Sequence, residues 1–247
     1  MSIKTAEELA GMRAAGLVVG RTLEAMKRAV RPGVTTAEVD EAGAKMIREH
    51  GARPAPTMVY GFPGANLISV NNEVVHGIPG ARIIREGDLV KLDATIEKDG
   101  FMADAAITFG VGNISDEKSR LIACVEHAFR KATKVARAGM RVAEIGREVE
   151  REVRRSGFSV IRELGGHGIG RTIHEPPSVP NYLVRNSKDV LTEGLVITVE
   201  PIIAAGSGRV FLGADGWTVQ TIDGGMSAHY EHTLVITNDE AMLLTAA

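Results

Sequence analysis

A block beginning at Arg31 recurs at Arg137, and this repeat constrains the fold more than any other feature of the chain. RPGVTTAEVDEAGAKMIREHG and RAGMRVAEIGREVEREVRRSG align from end to end without a gap. Arg31/Arg137, Gly33/Gly139, Ala37/Ala143, Glu38/Glu144, Arg48/Arg154 and Gly51/Gly157 are identical. Helices share composition, so single matches mean little; the shared stop and restart points to an internal duplication. Ahead of the first copy, Leu9, Met12, Gly16, Val19, Leu23, Met26 and Val30 recur at steps of three and four, which predicts a helix over 5–30. Arg31-Pro32-Gly33 stops it, Thr36 can cap a second helix over 37–50, and Gly51 ends that one. The same pattern predicts helices over 116–137 and 142–156, with Leu121, Cys124, Val125, Ile145, Val149 and Val153 facing inward.

Strand-like runs follow each helix pair. Residues 52–81 read as loop and short strand, and LVITVEPII, VFLGADGWTV and HYEHTLVIT read as strands of the second half. Two helices followed by strands, twice over, predict an α+β protein with a sheet curved across a pseudo-twofold axis and helices on its outer face. The 247 residues suffice for a large core, and no Pro/Ser-rich linker divides them. The expectation is one domain over 1–247, with halves at about 1–110 and 111–247.

The stretch LVKLDATIEKDGFMADAAIT, Leu89 to Thr108, reads as a hairpin around Glu97-Lys98-Asp99-Gly100. Each arm carries one carboxylate in an apolar setting, Asp93 and Asp104. With Lys98-Asp99 as the loop centre they are directly opposite; with Asp99-Gly100 they are diagonal neighbours, within roughly 5–8 Å either way. Two such acids share a proton, hold a cation between them, or are parted by a bulge. The second half adds Glu200, in the most apolar run of the chain, and Glu231, inside another strand. A charged carboxylate in a buried strand is costly unless paired or metal-bound. Repeat symmetry brings the two pairs together at the shared axis.

His167 lies among glycines in Gly165-Gly166-His167-Gly168-Ile169-Gly170, which leaves its imidazole unobstructed and makes it the nitrogen candidate. His76 and His174 are either site or surface residues on this reading. His232 is adjacent to Glu231 and points to the opposite face; His229, two positions from Glu231, can brace that carboxylate. Four carboxylates and one imidazole carry too much negative charge for one divalent ion and suit two. An oxygen-rich set with one nitrogen suits Mn, Fe or Co at least as well as Zn. The chain has no Gly-x-Ser-x-Gly, no Gly-x-x-x-x-Gly-Lys-Ser/Thr and no His-Glu-x-x-His motif.

As an ordered set, NEVVHGIP, LVKLDATIEKDGFMAD, GGHGIGRTIHEPP, ITVEP and YEHT resemble the type I methionine aminopeptidases of bacteria, over roughly residues 3–240. That resemblance implies the pita-bread fold and removal of the N-terminal methionine from peptides and nascent proteins, with a small second residue preferred. It implies that Asp93, Asp104, His167, Glu200 and Glu231 hold two divalent ions (Co, Mn, Fe or Zn) with a hydroxide between them. Asp104 and Glu231 would bridge, His167 and Glu200 bind one ion, and Asp93 the other. His76 and His174 would contact the scissile amide and the tetrahedral intermediate, with Glu200 managing the proton. The methionine pocket would be formed by Val59, Phe62, Leu67, Ile173 and Trp217. Many members have aromatic or Cys residues where this chain has Val59, Leu67 and Ile173.

The competing readings are an X-Pro-type dinuclear aminopeptidase or dipeptidase, and a non-catalytic pita-bread binding module. The chain ahead of Asp93 is too short for the separate amino-terminal domain of the proline dipeptidases. The stretch between Glu200 and Glu231 leaves no room for a type II helical insertion. A net charge of −2 offers no argument for a nucleic-acid or membrane partner, and no run is long enough to span a bilayer. The start lacks a signal peptide's apolar core, and the single Cys124 cannot form an internal disulfide. The expectation is a cytoplasmic monomer acting on peptide and nascent-protein N-termini, with ribosome contact implied by the resemblance.

Overall fold

The computed structural model describes residues 1–246. Its helices are α1 (Ala6–Ala29), α2 (Thr36–Glu49), α3 (Ala55–Tyr60), α4 (Asp116–Val135) and α5 (Val142–Arg155). Two details differ from the sequence reading. The N-cap of α2 is Thr35 rather than Thr36, because Thr35 stands three positions before Glu38 and the two close a reciprocal capping box. The stretch read as loop and short strand also contains α3, started by Pro56 in its first turn and ended by Gly61 in the left-handed region.

The duplication is visible in the backbone. Helices α2 and α5 are both 14 residues long, and their first residues, Thr36 and Val142, are equivalent positions of the repeat. Gly33 N–H donates to Ile84 O at 2.8 Å, and Gly139 N–H donates to Leu191 O at 2.9 Å. Thr35 bridges to Ile83 as Arg141 does to Val190. Gly33 and Gly139 have φ of 94° and 84°, where a side chain is strained.

A curved antiparallel sheet spans both halves in the order Arg53–Pro54, Leu89–Lys98, Phe101–Gly110, Glu231–Val235, Val196–Val199, Gly165–Gly168, Glu175–Pro180. The halves meet where Glu231 pairs with Ala106 and His232 with Ala105. Alternation sorts the two faces. Val90, Leu92, Ala94 and Ile96 join Met12, Val19 and Met26 of α1 in one core cluster, while Asp93 and Thr95 face the other way. Val125, Ala128 and Val149 of α4 and α5 pack on Ile197, Val199 and Leu234 in the second cluster. Helices thus cover one face and leave the concave face for polar groups.

Between Glu200 and Glu231 the second half builds extra structure. Ile202–Ala204, Ser227–His229 and Ser159–Val160 form one three-stranded sheet; Val210–Leu212, Val219–Thr221 and Glu73–Val75 form another. Lys91, buried in the hairpin, ties these additions to the first half by donating to Asn71 O at 2.8 Å and Ser227 O at 3.1 Å. Burial lowers its ammonium to about 7. Among the described residues no helix is long and apolar enough to cross a membrane.

Candidate metal centre and pocket

Asp99 and Gly100, with φ of 50° and 83°, form the tight turn of the hairpin, and Lys98 pairs with Phe101. This register makes Asp93 and Asp104 diagonal neighbours: Asp93 is opposite Ala106, and Asp104 is opposite Thr95. Ala106 is also the partner of Glu231, so its methyl group is the floor between Asp93 and Glu231. Continuing the register of Val196–Val199 on Glu231–Val235 by one step brings Glu200 level with Glu231. On the next strand, Cβ atoms on Gly166 and Gly168 would run into the backbone oxygens of Thr198 and Pro176. Glycine is therefore required on both sides of His167 for the strand to lie close to its neighbours.

Five side chains singled out in the sequence converge on one cavity of about 170 Å³: Asp93, Asp104, His167, Glu200 and Glu231. Asp104, His167 and Glu231 offer atoms all within 4.8 Å of one another. A second trio, Asp93, His229 and Glu231, does the same and shares Glu231 with the first. Asp93 Oδ1, Asp104 Oδ1 and Glu231 Oε1 are buried with no hydrogen-bond partner. Buried oxygens of this kind are normally satisfied. Left without a partner on three converging acids, they fit a divalent cation. His167 Nδ1 lies 2.9 Å from Gly168 O, which can only accept, so Nδ1 carries the proton and Nε2 is free as a ligand.

The charges of the centre strain against one another. Burial, then the charge of Asp104, raises Asp93 well above the usual carboxylate range. Burial, then the charges of Asp104 and Glu200, does the same to Glu231. Asp104 is also raised by burial, although His167 and the hydroxyl of Thr95, 2.8 Å from its Oδ2, oppose the shift. Glu200 is the exception. Burial pushes it up, but His229 and His167 outweigh that and hold it below the usual range.

His76 and His174 line the same cavity, accessible through its mouth. His76 is held in the left-handed region at φ 60°, an uncommon conformation for a residue with a side chain. His174 packs edge-on against His167 at 4.2 Å, and its Nδ1 is 2.6 Å from Tyr60 Oη. Desolvation first, then His167, lowers its imidazole, and desolvation lowers that of His76. Phe62, Leu67, Ile173 and Trp217 form the apolar wall, Phe62 meeting Trp217 in an edge-to-face contact at 5.2 Å.

Val59 does not belong to that wall. On α3, Pro56 and Tyr60 stand one turn apart and face the cavity, which leaves Val59 on the flank, 43% exposed. The sequence reading omits Tyr60, Thr95 and Ile202, which also line the cavity, and takes His229 only as a brace. Thr95 is readable from the hairpin register and His229 from its i, i+2 spacing to Glu231; Tyr60 and Ile202 carry no signal of their own. His232 lies on the other face, as expected, with Nδ1 2.8 Å from Thr245 Oγ1.

The model of metallopeptidase family M24 matches residues 10–238. A methionine aminopeptidase of Clostridium perfringens is 44% identical over 243 residues, covering 98% of each chain. Methionine aminopeptidase 2 of Bacillus subtilis is 42% identical over 247 residues, covering 99% of each. The crystal structure of a methionine aminopeptidase from Thermotoga maritima superposes over the whole of both chains with a TM-score of 0.97 at 35% identity.

Proposed function

This chain belongs to metallopeptidase family M24 and to the methionine aminopeptidases within it, and from that membership we infer that it hydrolyses the N-terminal methionine from peptides and nascent proteins with divalent metal. The observation that carries the chemistry is the convergence of Asp93, Asp104, His167, Glu200 and Glu231 from both halves, with unpartnered oxygens on three of them. In our reading these five would hold two cations, with His167 and Glu200 serving one, Asp93 the other, and Asp104 and Glu231 both. The donor set suits Co, Mn, Fe or Zn. The two halves act as one catalytic domain.

Bound cations supply Lewis-acid polarisation of the scissile carbonyl and a water of lowered pKa. The chain's own residues do the rest. Phe62, Leu67, Ile173 and Trp217 enclose the methionine side chain and exclude water from it. Glu200, held ionised, takes a proton at its carboxylate from the attacking water and passes it to the leaving amine. His76 and His174, both held toward the neutral form, donate hydrogen bonds to the scissile amide and to the oxygen that gains charge. Tyr60 at Nδ1 of His174 leaves the other ring nitrogen to face the substrate. A small second residue and ribosome contact rest on the resemblance of the motifs; a cytoplasmic site and a monomeric state complete the reading.

The deciding assay offers Met-Ala-Ser and Ala-Pro to protein loaded with Co²⁺ or Mn²⁺. Release of methionine from the first alone is expected. Cleavage of Ala-Pro alone would place the chain with the X-Pro peptidases, and no turnover despite bound cation would make it a binding module.

A further inference from the structure

His229 has no role among the five ligands, yet it is buried at their centre. Its side chain is 2% accessible, and its Nε2 has no hydrogen-bond partner. That atom faces Glu231 Oε2 at 3.3 Å and Glu200 Oε2 at 3.5 Å. It also forms the compact trio with Asp93 and Glu231. We propose that His229 is a further protein ligand of the centre, giving the cation beside Asp93 an imidazole of its own. The proposal rests on the metal-dependent reading above and deepens it.

The spacing decides between ligand and hydrogen-bond donor. A charge-assisted N–H to a carboxylate closes to about 2.7–2.9 Å. Two atoms each about 2.0–2.2 Å from one cation stand roughly 2.9–3.5 Å apart at octahedral to tetrahedral angles. The separation from Nε2 to Glu231, the acid that the Asp93 trio contains, falls in the second range. A nitrogen lone pair aimed at two carboxylate oxygens is repelled by both unless a positive charge lies among them.

The backbone beneath the ring is fixed for this purpose. His229 pairs with Ile202 in the small sheet of the second half. Thr108, from the first half, clamps it from both sides: His229 N–H donates to Thr108 Oγ1 at 2.8 Å, and that hydroxyl donates to His229 O at 2.7 Å. A ligand held on strands of both halves meets the requirement for a preorganised site. With it, each cation has one imidazole, His167 on one side and His229 on the other. That moves the Asp93 end from an oxygen-only site, suited to Mn²⁺, toward Fe²⁺, Co²⁺ or Zn²⁺.

The test is X-ray absorption of the full chain loaded with two equivalents of Co²⁺, with calorimetric titration of the same ion. The expected spectrum shows about one imidazole per cobalt in the unsubstituted protein, halved on average in His229→Gln. The weaker of the two affinities should fall on the order of tenfold or more in that variant, with the tighter one kept. One imidazole for two cobalts in the unsubstituted protein overturns the proposal while leaving the metal-dependent reading intact. Unchanged imidazole count and affinities in His229→Gln also overturn it. Failure to bind cobalt at all overturns both. The spectrum of the unsubstituted protein decides even where a variant fails to fold.

Discussion

In the first half the acids Asp93 and Asp104 sit on strands joined by a tight turn; in the second, a long excursion separates Glu200 from Glu231. The interval from Asp93 to Glu200 exceeds that from Arg31 to Arg137 by a single position, and so does the interval from Ile84 to Leu191 in the matching backbone bonds. The strands that carry these acids are thus copies of one pattern, and the copies part in the excursion after Glu200. The tight hairpin fixes carboxylates and little else. The opened loop brings Ile202, Trp217 and His229 to the cavity. Duplication accounts for the cluster of acids, and the insertion for much of what surrounds it.

If the centre is shared, disabling either half should be equally damaging. Asp104→Asn and Glu200→Gln are each expected to lower turnover on Met-Ala-Ser by on the order of 10³, and the pair together by little more, because they act as a unit. Near-normal turnover by Glu200→Gln with its metal content intact would remove Glu200 from the proton path.

The next effect is on stability without metal. Asp93 and Glu231 are held well above the usual carboxylate range by burial and by neighbouring acids, so at neutral pH the cation-free fold is destabilised by taking up protons that the unfolded chain does not bind. Asp93→Asn should stabilise chelated protein by about 1–3 kcal/mol in denaturant titration while weakening cation binding. A destabilised variant would mean that Asp93 has a protein partner.

The same shifts set a pH dependence. A folded-state pKa raised above the unfolded value means that the cation-free fold keeps protons which a cation must expel. Affinity should therefore climb as pH rises toward neutrality, with a larger cation-induced increase in Tm at about pH 7.5 than at about pH 5.5. Calorimetry in buffers of different ionisation enthalpy should register the released protons. Equal Tm increases at both values would contradict the raised carboxylates.

The hairpin, the repeated helix pairs and the five residues that converge on the cavity are legible in the sequence because each rests on local pattern: turn chemistry, steps of three and four, charges in apolar strands and an imidazole among glycines. The extra sheets of the second half are not. Val210–Leu212 and Val219–Thr221 are short and partly exposed, and their partner Glu73–Val75 lies far away in sequence. Val59 is misplaced because the phase of so short a helix as α3 cannot be read from its sequence. The choice between opposite and diagonal placement of Asp93 and Asp104 depends on one turn position, which two positive φ angles settle.

Smaller effects test the symmetry itself. Gly33→Ala and Gly139→Ala place a methyl group at φ of 94° and 84° with nothing nearby to touch, so each should cost about 1–2 kcal/mol, and the same amount within error. Unequal costs would mean that the two turns are not equivalent. Smallest is Tyr60→Phe, which frees Nδ1 of His174. It should lower kcat several-fold with KM nearly unchanged, whereas a pocket-wall role would raise KM instead.

The claim that both halves build one metal-dependent peptidase site is tested most directly by titrating chelated protein with Mn²⁺ or Co²⁺ while following methionine release from Met-Ala-Ser. The account predicts no release in chelator, recovery as cation is added, and no recovery in Asp104→Asn or Glu231→Gln. Full release in the presence of chelator, or recovery in either variant, would contradict it.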